Sequence, residues 1–263
     1  MEKLLIIPTY NERDNVAAVL HTVFSLEENF HVLIIDDNSP DGTAEIVKSL
    51  IPQYKGMLFL EERVGKLGLG TAYILGFRWA MAHGYDYIFE MDCDFSHDPH
   101  ELNKLYGACK FDGAGVAVGS RYIKGGKIEN WPMGRVNLSK GASVYTRLIT
   151  FMPVKDPTAG FVCYKRQVLE AINLDQISFV GYAFQIEMKF AAWKLGFRIV
   201  EVPITFVDRK FGVSKMNKGI VKEGIFGVLR LRWLSMFKNY RHRVKKIVET
   251  PSYKSHQILV EGK

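Results

Sequence analysis

Five short apolar runs, "KLLIIP", "HVLIIDD", "GMLFLEE", "DYIFEMD" and "GAGVAVGS", recur through the first half of the chain with amphipathic stretches between them at 15–26, 44–50, 70–83 and 101–110. Runs this apolar suit strands covered on both faces, and each gap is long enough for one crossover helix. The pattern predicts an α/β fold: a mostly parallel sheet with helices on both faces. The second half is less regular. It offers a loop at Gly125-Gly126, a helix near 135–150, the strand "GFVCYK", a helix through 185–195 and a long strand "FRIVEVPITFV". No repeat or low-complexity linker interrupts it, so residues 1–212 are expected to form one domain, with the rest as an appendage.

In open parallel sheets, ligands bind beyond the carboxyl ends of the strands. Polar residues gather at those ends here: Pro8-Thr9-Tyr10-Asn11-Glu12, Asp36-Asp37-Asn38, Asp92-Cys93-Asp94 and Ser120-Arg121-Tyr122. Side chains two apart on an extended strand point the same way, so Asp92 and Asp94 are expected to converge while Cys93 faces away. Carboxylates about 6 to 7 Å apart along the chain repel unless a cation sits between them. A hard divalent ion such as Mg²⁺ or Mn²⁺ takes oxygen ligands and keeps room for phosphates. The pair therefore suggests a metal–diphosphate site, against the plainer reading of two solvated acids at a strand end.

Other phosphate chemistries fit poorly. An aspartyl phosphatase wants its nucleophile after the first strand of the core, and a receiver domain is much shorter. Neither GxGxxG after the first strand nor a Walker loop is present. The glycines of "GKLGLG", 65–70, sit at a strand-to-helix turn and either admit a nucleotide or sugar or simply make the turn tight.

Charge is distributed unevenly. Residues 207–246 hold twelve Lys and Arg against two Asp and Glu, about +10 of a formal net +7, which leaves the remainder near −3. Within this segment "GIFGVLRLRWLSMF", 224–237, is largely apolar; as a helix it would measure about 21 Å, too short for a hydrocarbon core of about 30 Å. It reads as an interfacial segment drawn to anionic lipid, or else as a helix packed on the core or in a dimer. No recognised nucleic-acid motif accompanies the basic charge. The apolar run at the N-terminus is too short for a signal peptide, and three cysteines without ligand spacing suggest neither disulfides nor zinc but a reducing compartment.

The stretches "IIPTYNE", "VLIIDDNSPDGT", "GLGTAYILGF", "MDCDFSHDP", "GSRYIKGGKIENWPMGR", "KDPTAGF" and "DRKFGVSK" together resemble the polyprenol-phosphate (dolichol-phosphate) mannosyltransferases of glycosyltransferase family 2, in order, over roughly residues 3–240. The resemblance implies a GT-A, Rossmann-like catalytic domain over 1–212, a basic amphipathic membrane-interface segment over 213–246 and a tail over 247–263. It implies GDP-mannose as donor, a polyprenyl phosphate lipid as acceptor, and a divalent metal, Mg²⁺ or Mn²⁺. By position, Pro8, Tyr10, Glu12, Ile35 and Asp37 look like the nucleoside pocket and Asp92 and Asp94 like the metal site. Ser96 stands where some relatives carry a metal-reaching Gln, and Cys93 replaces their usual Ala. Arg121, Arg135 and Ser139 match the acceptor-phosphate positions; Arg209 and Lys215 match a pair on the loop that closes over the donor.

These expectations describe an inverting transferase without a strong general base, because a phosphate monoester is already anionic at neutral pH. Asp156 and Glu187 are secondary candidates for sugar hydroxyls, or else partners of an Arg. The enzyme is expected peripherally on the cytoplasmic face of a membrane, alone or with an anchoring partner. A UDP-glucose-dependent glucosyltransferase and a non-catalytic nucleotide-sugar-binding subunit are the alternatives.

Overall fold

A computed structural model describes residues 2–181, 183–208 and 218–241. The first half realises the expected alternation: β1 (Lys3–Thr9), α1 (Val16–Phe24), β2 (His31–Asp36), α2 (Thr43–Leu50), β3 (Leu58–Glu62), α3 (Leu69–Ala82), β4 (Tyr87–Glu90), α4 (Leu102–Lys110) and β5 (Val116–Ser120). There follow β6 (Lys127–Glu129), α5 (Met133–Thr150), β7 (Val162–Lys165), α6 (Arg166–Ala171), α7 (Ala183–Lys194), β8 (Ile199–Pro203), β9 (Thr205–Val207) and α8 (Lys218–Leu234). The main sheet has the order β3-β2-β1-β4-β7-β5-β8, and β6 pairs with β9 in a separate ribbon. Every pairing in the main sheet is parallel except those of β7, which runs antiparallel between β4 and β5.

The buried runs show why. Leu4 to Ile7 and Val32 to Ile35 are all 0% exposed, and alternate residues enter opposite halves of the core. Leu4 and Ile6 join the half that contains Tyr73 and Phe77 of α3, Leu5 and Ile7 the half that contains Val16 and Leu20 of α1. This two-sided covering is what a parallel sheet requires.

Three expectations are corrected. β4 stops at Glu90, so Asp92 and Asp94 lie on the connection after the strand, where Phe95 takes a left-handed φ of 57°. The long strand expected at 197–207 divides at Ile204; Pro203 ends β8, and β9 departs to pair with β6, which the sequence reading had left inside a loop. Helix α6 was likewise not expected. The remaining helices fall within a few residues of the predicted spans.

Gly126 shapes the turn after β5. A Cβ there would lie 2.6 Å from the Ser120 carbonyl oxygen and 2.8 Å from the Arg121 carbonyl, so the chain doubles back on itself where Arg121 leaves the sheet. At the other end, α8 packs against α5 and α7 and buries Val228 and Leu231, while Tyr240 beyond it enters the same core. Among the described residues, no helix is long and apolar enough to cross a membrane. All three cysteines are buried and free.

Gly126→Ala is expected to destabilise the protein by about 1–3 kcal/mol, because backbone rather than a flexible side chain must move. Gly134→Ala, in the first turn of α5 with nothing within 4 Å of its Cβ, is expected to stabilise by about 0.4–1 kcal/mol. Denaturant midpoints of the two variants should move in opposite directions.

Candidate active site

Two adjoining cavities open at the carboxyl ends of the strands. The smaller, about 240 Å³, is lined by Pro8, Tyr10, Glu12 and Asp37 from the ends of β1 and β2, by Lys66 and Gly68 before α3, and by Asp92 and Asp94 after β4. The larger, about 650 Å³, has Asp92, Arg121, Arg135 and Ser139 at its polar end and apolar walls that include Ala142, Tyr145, Ile186 and Val228. Asp92 and Leu69 line both, so the cavities meet at an aspartate.

Local chemistry explains the rim. The adjacent acids after β2 have separate tasks. Asp36 is fully buried and accepts hydrogen bonds from the Thr9 hydroxyl (2.7 Å), the Ser39 N–H (2.8 Å) and the Ser39 hydroxyl (2.6 Å), which ties the first two loops together. Asp37 faces the smaller cavity and accepts from Arg63 Nε at 2.6 Å. Arg63 also donates to the Thr71 hydroxyl at 2.6 Å and to the Gly68 carbonyl at 3.3 Å. It therefore braces the glycine-containing turn against Asp37. Lys66, on that turn, lies 4.7 Å from the centre of the Tyr10 ring.

Asp94 is buried and accepts the Ser96 N–H at 3.0 Å, while the Ser96 hydroxyl is buried with no hydrogen-bond partner. Two carboxylates with an orphaned hydroxyl beside them make an all-oxygen donor set suited to a hard divalent ion. Among the described residues, no group of three or more His, Cys, Asp or Glu forms a metal cage. Any ion here would thus complete its shell with water and substrate phosphate, as Mg²⁺ characteristically does.

Arg121 donates from Nε to Asp156 Oδ2 and from Nη2 to Asp156 Oδ1, both at 2.7 Å, and Nη2 also reaches the Thr158 hydroxyl at 2.9 Å. Burial pushes the Asp156 carboxyl up, but the charge and hydrogen bonds of Arg121 override it and hold the group below the usual carboxylate range. Arg135 pairs with Asp208 at 3.1 Å and stacks 4.0 Å from the Trp131 ring centre. Ser139 accepts the Tyr122 hydroxyl at 2.7 Å. Burial drives His97 down to about 4, so it is neutral at physiological pH. It stacks on Phe161 with ring centres 5.0 Å apart.

The structure thus brings Pro8, Tyr10, Glu12, Asp37, Asp92 and Asp94 around one cavity, and Arg121, Arg135 and Ser139 around the next. Ile35 does not join them: it is 0% exposed and its side chain lies in the core with Ala72 and Tyr73. Asp156 and Glu187 are both 0% exposed and engaged by protein partners. The first is spent on Arg121, and the second accepts the N–H groups of Ser178 (2.7 Å) and Phe179 (3.0 Å) and the Lys238 ammonium (3.0 Å). Arg209, Lys215 and the tail beyond 246 lie outside the described residues. Sequence reasoning passed over Arg63, Lys66, Trp131 and Asp208; of these, Trp131 and Asp208 stand inside stretches that carried the resemblance.

A family model described as Glycosyl transferase family 2 matches residues 4–172. The polyprenol monophosphomannose synthase of Mycolicibacterium smegmatis is 44% identical over 225 residues, 86% of this chain and 84% of that protein. The undecaprenyl-phosphate mannosyltransferase of Micrococcus luteus is 42% identical over 244 residues, 93% of this chain and 99% of its own length. Among solved structures, a mannosyltransferase from Pyrobaculum calidifontis in complex with GDP-Man and Mn²⁺ matches with a TM-score of 0.57 at 16% identity, covering 90% of this chain and 64% of that one. That likeness is one of fold, the GT-A arrangement.

Replacing one partner of a buried ion pair strands the other, at a cost of about 3–5 kcal/mol. Asp156→Asn should destabilise by about this much at pH 7. Because the folded pKa is depressed, Asp156 contributes fully above its unfolded value of about 3.9, and the contribution fades as pH falls through the lower folded value. The stability gap between wild type and variant, measured by urea unfolding, should be flat from pH 7 to about 4 and narrow below.

Proposed function

The chain belongs to glycosyl transferase family 2, and on that premise we propose that it moves mannose from GDP-mannose to the phosphate of a polyprenyl (dolichyl-type) phosphate. The observation that carries this reading is the pair of cavities meeting at Asp92, one acidic and sized for part of a nucleotide sugar, the other largely apolar with two arginines in its lining. The mannosyl-transfer names of both close relatives support it.

The nucleoside lies against Pro8, Tyr10, Glu12 and Asp37, and the diphosphate reaches Asp92 and Asp94. These two carboxylates would hold a divalent ion, Mg²⁺ or Mn²⁺, which supplies positive charge to the departing diphosphate. Lys66 stands on the same wall. Arg209 and Lys215, which lie outside the described residues, are proposed to assist on the strength of the family resemblance.

The acceptor phosphate meets Arg121, Arg135 and Ser139, and its prenyl chain follows the apolar walls of the larger cavity. Arg121 cannot swing, so it fixes where the nucleophilic oxygen sits. That oxygen is already ionised, since the second pKa of a phosphate monoester is about 6. Its lone pair attacks the anomeric carbon as the bond to the diphosphate breaks, and no proton has to be removed. His97, whose basicity burial lowers to a pKa of about 4, and Asp156, engaged by Arg121, agree with a site that has no strong general base. Attack opposite the leaving group turns the α-linked donor into a β-linked mannosyl phosphate.

A lipid acceptor has to be reached at a membrane. Helix α8 and the residues after it bury one side but expose Phe226, Leu229, Trp233, Met236 and Phe237 on the other. Leu148 and Phe151 of the adjoining α5 region are also exposed, and Arg232 lies 5.5 Å from the Phe151 ring centre. This apolar surface with arginines among it is the face proposed to rest on anionic lipid, with residues 1–212 carrying the chemistry above it.

Radiolabel from GDP-mannose should pass into organic-extractable lipid when a short polyprenyl phosphate and Mn²⁺ are supplied, and Asp94→Asn should cut the rate at least about 100-fold. Absence of transfer would overturn the donor or acceptor, and transfer from UDP-glucose instead would establish the glucosyl alternative; an α-linked product by NMR would remove the single-displacement mechanism. Liposomes containing anionic lipid should float the wild type, and the double variant Trp233→Ser, Phe237→Ser should remain at the bottom of the gradient.

A further inference from the structure

The two arginines at the mouth of the larger cavity are held in different ways. Arg121 grips both oxygens of Asp156, and the two side chains are 6% and 0% exposed. Arg135 makes one hydrogen bond to Asp208, from Nη1 to Oδ1 at 3.1 Å, and the two side chains are 24% and 32% exposed. Its guanidinium carbon lies 4.0 Å from the Trp131 ring centre, and the Trp131 Nε1 donates to the same Oδ1 at 3.2 Å.

The ribbon of β6 and β9 builds this arrangement. Glu129 is in register with Val207, and the Asp208 N–H donates to the Glu129 carbonyl at 3.1 Å. Trp131 and Asp208 therefore leave the ribbon side by side. Pro132 turns the chain into α5 and accepts the Arg135 N–H at 2.9 Å.

Each arginine faces an aspartate that offsets part of its charge, so an arriving phosphate gains most where one of these counter-ions yields. Asp156 cannot, because it is buried and doubly bonded. Asp208 can: its carboxylate is about a third exposed and would rehydrate on release, and partly exposed pairs of this kind are weak. A phosphate offers the guanidinium a bidentate partner with more charge. The Trp131 ring would keep Arg135 in place throughout, since the stacking does not need Asp208.

We propose that Asp208 is an exchangeable counter-ion for Arg135, pairing with the guanidinium until the acceptor's phosphate monoester displaces it. The proposal rests on the reading that Arg135 receives that phosphate.

The test uses the full chain and a short polyprenyl phosphate, with KM measured for acceptor and donor and Kd for the acceptor by calorimetry without donor. Asp208→Asn, which removes the competing charge but keeps the shape, should lower the acceptor KM and Kd about 3- to 5-fold and leave the donor KM within about 2-fold. Asp208→Glu should return the acceptor values to those of wild type, which a merely structural role would not do. Unchanged or weaker acceptor binding in Asp208→Asn, with melting temperature retained, overturns the exchange. Arg135→Gln separates this from failure of the underlying reading: if it leaves acceptor binding unchanged, the acceptor site itself has been placed wrongly and the exchange falls with it. If Arg135→Gln weakens acceptor binding while Asp208→Asn does not strengthen it, only the exchange is lost.

Discussion

A buried pairing of opposite charges underlies the site, Asp156 with Arg121, and behind it lie the ionisable side chains of Lys189 and Glu90, both 0% exposed. Burial alone works against every ion here. It pushes Glu90 up to about 8 and Lys189 down to about 8, and the attraction between them opposes both shifts. Lys189 also donates to the Ala159 carbonyl at 2.6 Å and the Gln185 carbonyl at 3.0 Å, so its ammonium is solvated by protein. Asp156 is anchored in turn from the sheet edge, since Glu201 of β8 accepts the Lys155 and Asp156 N–H groups at 2.8 and 2.9 Å. Charges taken this deep are costly unless each has a partner and its remaining hydrogen bonds. The outcome is an Arg121 guanidinium held at a fixed angle at the end of β5, where a flexible surface arginine would wander.

Fixed charge matters because the reaction brings anions together. A diphosphate, a phosphate monoester and two aspartates must share a few ångströms of space, and the sheet supplies the acidic side of that meeting. The compensating cations come from beyond the parallel core: Lys66 from the turn before α3, Arg121 from the turn folded back at Gly126, and Arg135 from the start of α5. The pairing of β6 with β9 is what carries α5 to the rim. The small ribbon, although it adds little to the core, decides where Arg135, half of the proposed acceptor site, lies.

That division marks what could be read from sequence. Parallel strands covered on both faces leave continuous apolar runs, so β1, β2 and their helices were legible almost residue by residue. Nothing in "GFVCYK" reveals that β7 inserts antiparallel between β4 and β5, because strand order is a property of long-range packing. "KIE" is too short and too charged to announce β6. The aspartates were legible as a pair, and they line one cavity, yet they stand on the connection after β4 rather than in an extended strand. Family likeness placed Ile35 at the nucleoside, while its side chain enters the core below α3. Sequence left Asp156 and Glu187 open between sugar hydroxyls and an Arg partner, because their partners, Arg121 and the 178–179 backbone, are distant in sequence or belong to the main chain.

Glu187 shows how the face proposed to meet lipid and the side proposed to hold the nucleotide are joined. Lys238, just past α8, donates to Glu187 and to the Gln176 carbonyl at 2.7 Å, and Glu187 fixes the N–H groups of Ser178 and Phe179. The Val180 carbonyl then accepts the Gly70 N–H at 2.8 Å, and no side chain fits at Gly70, where a Cβ would lie 2.7 Å from the Phe184 ring. Segment 176–180 is thus a bracket between the end of α8 and the start of α3, whose preceding turn is braced by Arg63 against Asp37. A surface helix tied in this way cannot tilt independently of the cavities. Whatever orientation its exposed aromatic side takes at a lipid surface is therefore the orientation in which the mouth of the larger cavity, and with it Arg121, is presented to the acceptor.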